Sequence, residues 1–509
     1  MSEICIIVTI VVYLAAMLLV GFAYSKTNND SADFYLGGRK MGPLVTAMSA
    51  EASDMSSWLL MGMPGLAYLT GIASPGWTAI GLALGTWLNW LIVARRLRRY
   101  SANLDAITVP QFLSLRFHDQ RNLLNALGAV IIIVFFVPYT ASGFAACGKL
   151  FHSLFGVDYM AAMLVSALVI VGYTILGGFR AVTTTDLIQS MVMSLALIAV
   201  LGYGIVVAGG WGAVVENAQS LSGYLTMTAS HDAVTGGAAS YSLLDIVSTM
   251  AWGLGYFGMP QVLVRFMGIR SADEVKKSRV IAVVWCVVSL ACGICIGLVG
   301  RVIIPVDFAT QAQAENVFIV LSQMILPPFM CGVVVSGIFA ASMSSSSSYL
   351  LIAGSSVAEN IFRGVVKKDA TDRQVMIVAR LTLIAVFMFG IIVAYDENSS
   401  IFGVVSYAWA GLGASFGPLT LCALYWRRAN MQGALAGMIT GTVTVLVWHN
   451  FIKPLGGVFG IYELLPAFVL SFAAIVIVSL LTPAPSEAVA NEFDHYMDEG
   501  GAAVEKVVQ

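Results

Sequence analysis

Six polar or acidic residues, Ser49, Glu51, Ser53, Asp54, Ser56 and Ser57, fall within nine positions inside an otherwise apolar stretch. Further along, Ala340-Ala341 is followed two residues later by five consecutive hydroxyls, Ser344 to Ser348, again between apolar residues. Oxygen-only side chains suit hard cations. Five adjacent serines on a helix send hydroxyls in every direction, including toward the interior, although a serine can also simply bond back to its own helix. One or two of them are therefore expected to ligate a sodium-like ion, and close helix packing through small residues is the bland reading. Asp54 carries the sharper signal. A carboxylate in the middle of such a segment costs about 2.5–3.5 kcal/mol to insert into hydrocarbon. Such residues mark ion or solute paths, and the alternative is a structural role in holding unwound N–H groups.

The elements that must position these groups follow from composition. Of the 509 residues, 59% are hydrophobic and 11% charged, and the mean hydropathy is +0.86. Soluble domains carry about 25% charged residues. Apolar runs long enough to cross a bilayer, about 20 residues each, recur at 4–23, 43–70, 76–94, 122–147, 159–178, 187–209, 244–268, 279–303, 328–354, 374–395, 401–426, 431–452 and 459–482. The expected fold is an all-α polytopic membrane protein of about 13 spans, since barrel strands would be half as long and would alternate. The first run lacks a basic flank and a small-residue cleavage site and reads as a retained helix.

Basic residues set the orientation. With the N-terminus outside, all Lys and Arg except Lys149, Arg301 and Lys453 fall in loops expected to be cytoplasmic, among them Lys26, the Arg95–Arg99 cluster, Arg180, Arg265 and Lys506. That asymmetry also supports an odd number of spans. The net charge of −2 gives no sign of nucleic-acid binding. Cys292 and Cys295 form an isolated CxxC without a second pair or a histidine cluster, and read as small helix residues. The five histidines lie in loops or near span ends, which disfavours a haem-bearing subunit.

Two spans are interrupted. The second holds the Ser49–Ser57 cluster, and the seventh holds Trp252-Gly253-Leu254-Gly255-Tyr256-Phe257-Gly258-Met259-Pro260. They are five spans apart, as for inverted five-helix repeats (43–209 and 244–426) with a binding site where the helices break. The Gly253–Gly258 match to GxGxxG lacks the preceding strand of a dinucleotide site and is expected only to break the helix. Gly81…Gly85 and Gly433…Gly437…Gly441 read as packing faces. Asp186, after Thr183, Thr184 and Thr185, is expected at the cytoplasmic start of the sixth span, as a helix cap or as a second ion step or inner gate. A loop at 210–242 faces outside, residues 316–326 form a short amphipathic helix on the outer face, and 483–509 form a solvated acidic tail.

The stretches Tyr35-Leu36-Gly37-Gly38-Arg39, Ser53-Asp54-Met55-Ser56-Ser57-Trp58, Trp252 to Pro260 and Val405-Ser406-Tyr407-Ala408-Trp409-Ala410-Gly411 resemble the sodium:solute symporter family, and most closely its sodium/proline branch. The resemblance runs from the first span to the thirteenth. It implies a single transporter domain over 1–482 with a leucine-transporter-type core in the cell membrane, alternating access, and sodium-coupled uptake of L-proline. A sodium symporter for another amino acid, a sugar or a carboxylate is the alternative. It implies a sodium site on Ala52, Met55 and Ala341 backbone oxygens with the Ser344 and Ser345 hydroxyls. It places the substrate on Ser56, Ser57, Tyr139, Trp252, Tyr256 and Pro260, and coupling or gating on Arg39, Asp54 and Asp186. Glu51 and Ser57 stand where the branch usually has glycine. Glu51 is expected to face cytoplasm-connected water or to pair with a cation. Sodium is the only co-transported ion implied, and no obligate protein partner is. A membrane-embedded sensor would need a signalling domain, and a membrane enzyme would need paired acids or histidines at mid-depth; neither pattern is present.

Overall fold

The computed structural model describes residues 2–25, 31–304 and 308–498; Lys26, Glu499 and Lys506 lie outside the described residues. Among the described residues, nine helices are long and apolar enough to cross a membrane, from Glu3–Val20 to Leu464–Leu481. The other four predicted spans are helical too, and each has a physical reason for falling short. Tyr159–Ile175 is brief, Ile401–Tyr425 is diluted by Gly, Ser and Pro418, and the second and seventh are broken.

The second span begins with Pro43 at the first helical position of Pro43–Asp54, where its missing N–H costs nothing. At Met55 the chain leaves the helix (φ −77°, ψ 72°). It resumes through a π-turn, Trp58–Gly62, and the helix Met63–Thr70. The seventh span starts with a capping box between Ser242 and Asp245, tightens into a 3₁₀ stretch at Ala251–Phe257, and becomes extended at Met259 before restarting at Pro260. A proline cannot continue the preceding ladder but can open the next helix.

The glycines of this break are contact points. A side chain on Gly253 would strike the Gly81 carbonyl at 2.1 Å, and one on Gly85 the Gly253 carbonyl at 2.3 Å. Gly255 lies under the Trp409 indole and Gly258 against Gly413 and Gly417. Thus the GxGxxG match serves backbone-to-backbone packing. The ninth span, Pro328–Val366, is the most enclosed of the nine, with 83% of its most apolar window buried, so the serine run lies at the centre of the bundle.

Three expectations change. Residues 179–186, expected as a loop, are helical and open the sixth span, which is separated from Tyr159–Ile175 by a break at Gly178 (φ 63°, ψ −168°). The 210–242 loop contains a helix, Trp211–Ser220, and a small hairpin pairing Ala229–His231 with Ala238–Ser240. The tail is docked rather than solvated over its described part. Helix Glu487–Asp498 buries Val489, Ala490 and Phe493, with Arg116 over the Phe493 ring at 4.7 Å and an Arg427–Asp494 ion pair at 2.8 Å. The short helix at 316–326 forms as Val317–Ile325.

Candidate functional site

The break in the second span faces the serine run. Ser344 Oγ donates to the Ala52 carbonyl at 2.8 Å and to the Ala341 carbonyl at 3.1 Å, and Ser345 Oγ donates to Ala341 O at 2.8 Å. Four of the five oxygens assigned to sodium by resemblance therefore converge. The fifth belongs to Met55, just past the helix end. In an unbroken helix the Leu59 N–H would take the Met55 carbonyl; here it donates to Ser56 O at 3.1 Å. Side chains take the other carbonyls around the break: Tyr349 OH donates to Ser53 O at 2.9 Å and Trp58 Nε1 to Asp54 O at 3.2 Å.

Asp54 is fully buried, and its Oδ2 accepts a 2.5 Å hydrogen bond from the Tyr256 hydroxyl. The two interrupted spans thus meet through one side-chain pair. Among the described residues, Asp54 Oδ1, Ser56 Oγ, Ser57 Oγ and Tyr139 OH are buried without a protein partner. Most buried polar atoms are bonded, and these four belong to residues expected from the sequence to line the site. Tyr139 joins the site through Tyr349, with ring centroids 4.2 Å apart. All the site residues expected from sequence are buried except Arg39, which is half-buried.

Trp252 and Tyr256, where the resemblance places the substrate, bring aromatic faces to the break. The structure covers them. The Trp252 ring has Phe402 at 5.1 Å, Tyr462 at 5.3 Å, Trp58 at 6.0 Å and Trp409 at 6.3 Å, while Tyr256 meets Trp409 edge-on at 5.1 Å. Trp409 also donates from Nε1 to Trp252 O at 2.8 Å, and Asn89 Nδ2 donates to Tyr256 O at 2.9 Å. Pro260 sets the restart of the helix below this cluster.

Asp186 is neither interfacial nor a cap. It is fully buried well inside the helix that follows Gly178, and Arg265 is 1% exposed rather than in a cytoplasmic loop. Their 3.1 Å ion pair is extended by Ser49 Oγ donating to Asp186 Oδ2 at 2.6 Å, Arg265 Nε donating to Ser49 Oγ at 2.9 Å and Arg265 Nη2 donating to Ser348 Oγ at 2.6 Å. The cluster joins the second, sixth, seventh and ninth spans. Sequence reasoning missed Arg265, although an arginine inside a predicted span is itself the signal to look for a partner. Glu51 meets neither water-facing surface nor a cation among the described residues; it is 1% exposed and accepts from Trp90 Nε1 at 3.3 Å.

At one end of the bundle Arg39, in a left-handed turn (φ 54°), ties three segments together. Its guanidinium donates to Met267 O at 2.7 Å, Ala106 O at 2.7 Å and Ser101 O at 3.0 Å. At the other end Glu315, also missed, caps the eleventh span. It accepts from Ile401 N at 3.0 Å and Phe402 N at 3.0 Å, and pairs with buried Lys149 at 2.9 Å.

Among solved structures, the fold is similar to a Na+-coupled sialic acid symporter in a substrate-bound outward-open state (TM-score 0.78, 20% identity, 95% of this chain and 99% of that one). It is also similar to Mhp1, a nucleobase-cation-symport-1 family transporter (TM-score 0.52, 14% identity, 92% and 99%). The architecture is therefore the leucine-transporter type. A model of the sodium:solute symporter family matches residues 34–441, and the chain belongs to that family. It is a transporter of the cell membrane, not an enzyme, and sodium is its co-transported ion. Similar relatives are the "High-affinity proline transporter PutP" of Bacillus subtilis (strain 168), 42% identical over 95% of this chain and 99% of its own length, and the "Sodium/proline symporter" of Escherichia coli (strain K12), 39% identical over 96% and 95%.

Proposed function

We propose that this protein takes up L-proline together with sodium by alternating access, with its N-terminus outside and its tail in the cytoplasm. The observation that carries the reading is the Asp54–Tyr256 hydrogen bond, which joins the stretch beside the expected ion ligands to the stretch beside the expected solute. Similarity over nearly full length to relatives named for proline supports the choice of solute. Sodium is held by the Ala52, Met55 and Ala341 carbonyls and the Ser344 and Ser345 hydroxyls. Proline lies among Ser56, Ser57, Tyr139, Trp252, Tyr256 and Pro260. Its carboxylate and ammonium suit the buried unpaired polar atoms, and its ring suits the aromatic cluster once the covering rings part. Arg39 and Asp186 act at the inner side, and residues 43–209 and 244–426 form the two repeats within a domain spanning 1–482.

Counterflow of labelled proline into proteoliposomes is expected to require sodium; uptake of a sugar or carboxylate instead would replace proline as the solute. Ser344→Ala and Ser345→Ala each remove one ligand oxygen without adding bulk. Each is expected to raise the sodium concentration for half-maximal uptake by about tenfold, equivalent to about 1.4 kcal/mol, with proline affinity at saturating sodium changed less. Linkage makes proline tighten sodium by the factor that sodium tightens proline. Ser347→Ala, whose hydroxyl bonds to Ser344 O at 3.2 Å and faces Tyr173 rather than the break in the second span, is the control. An unchanged sodium titration in both variants would reduce the serine run to packing.

A further inference from the structure

Tyr462 immediately precedes the helix Leu464–Leu481 of the thirteenth span, outside both expected repeats, yet its ring stacks on the Trp252 indole at 5.3 Å and 21°. The residue is 7% exposed and pinned at two points. Its N–H donates to Ser248 Oγ at 2.7 Å, in the first half of the broken seventh span, and its hydroxyl donates to Ser406 O at 2.7 Å, near the start of the eleventh. The next residue, Glu463, is fixed by His449 Nδ1 at 2.9 Å and Lys453 Nζ at 2.7 Å, which anchors this backbone to the end of the twelfth span.

Trp252 needs such support. It stands in a 3₁₀ stretch, whose hydrogen bonds are poorer than those of an α-helix, so neighbours must fix its ring plane. Trp409 holds the Trp252 carbonyl and lies near-parallel to its ring, 28° away at 6.3 Å; Tyr462 lies nearly parallel and closer. Ser248 and Ser406 belong to different spans at the end of the bundle opposite Arg39, so the tyrosine also ties these two spans across the pocket.

We propose that Tyr462 is a positioning and specificity-determining residue: it sets the plane of the Trp252 indole and limits the space beside it for the solute ring. This rests on the reading of Trp252 as part of a proline pocket. Aromatic pairs contribute about 0.5–1.5 kcal/mol beyond burial, and one methylene in an apolar pocket discriminates by roughly 10–200-fold. Size selection is therefore the property most sensitive to this contact.

The test compares uptake of labelled proline and of its six-membered-ring homologue, pipecolate, in proteoliposomes. Tyr462→Ala is expected to raise the half-saturating proline concentration about tenfold, to raise the pipecolate-to-proline uptake ratio at least as much, and to leave half-saturation by sodium at saturating proline within about twofold. Tyr462→Phe keeps the ring and is expected to retain the wild-type ratio. Ser248→Ala, which removes the acceptor of the Tyr462 N–H, is expected to shift the ratio in the Ala direction by a smaller factor, and it serves if Tyr462→Ala does not fold. A purely structural role would lower the amount of active protein and leave the ratio alone. Proline uptake by wild type with an unchanged ratio and half-saturation in Tyr462→Ala, or with an unchanged ratio in Ser248→Ala where only that variant folds, overturns the proposal. Absence of sodium-dependent proline uptake by wild type overturns the substrate reading and this inference with it.

Discussion

Asp54→Asn is expected to lower sodium-driven uptake by on the order of a hundredfold while the protein still inserts and purifies as a single species. Asparagine matches the shape of aspartate and can still accept from the Tyr256 hydroxyl that reaches Asp54 Oδ2 at 2.5 Å, so the change isolates the charge. Two unit charges ~6 Å apart attract by roughly 2.8 kcal/mol at an effective dielectric near 20, which is about a hundredfold in affinity. In the proposed site that attraction acts on the ion assigned to the neighbouring Ala52 and Met55 carbonyls, and it is lost with the charge. Initial uptake rates against sodium concentration, at matched amounts of reconstituted protein, give the measurement. Uptake within threefold of wild type in well-folded Asp54→Asn would remove the carboxylate from ion coupling.

The second large effect falls on the buried pair below it. Arg265→Gln removes the charge that neutralises Asp186, both groups being 1% exposed or less. Breaking one partner of a buried ion pair costs about 3–5 kcal/mol, whereas removing both charges together costs far less. The single variant is therefore expected to melt well below wild type in detergent, and the Asp186→Asn/Arg265→Gln double variant to regain most of the loss. Because Ser49 and Ser348 bond into the same cluster, neither variant is expected to transport normally even where stability returns. Equal melting temperatures for the single and double variants would show that the pair is not the unit that matters.

The span pattern was legible because bilayer thickness sets the length of an apolar run, and each predicted span is helical. The breaks were legible too, because Ser56, Ser57, Gly253, Gly255 and Pro260 are poor continuers of a helix. The stretch 179–186 was not. Arg180 and Thr183 to Asp186 lower its hydropathy, and nothing local reveals that Tyr173 satisfies Thr185 and that Arg265 satisfies Asp186. A partner 79 positions away leaves no trace in one sequence. The same limit hid Glu315, which pairs with Lys149 and caps Ile401, and the four rings around Trp252, which come from the second, eleventh and thirteenth spans and their connections. The docked tail could have been read, since Val489, Ala490 and Phe493 recur at helical spacing between acidic residues.

The contact of Gly81 and Gly85 with Gly253 has a mechanical consequence. Two backbones that touch directly have no side-chain torsions between them to absorb a displacement. Helix Ala73–Leu88 and the 3₁₀ stretch bearing Trp252 and Tyr256 therefore form one stiff lever, and whatever swings the indole swings that helix as well. Its exposed flank carries Leu84 and Trp87, 45% and 43% exposed. A push on that exposed flank is therefore expected to reach the indole undamped, through a rod with no spring in it.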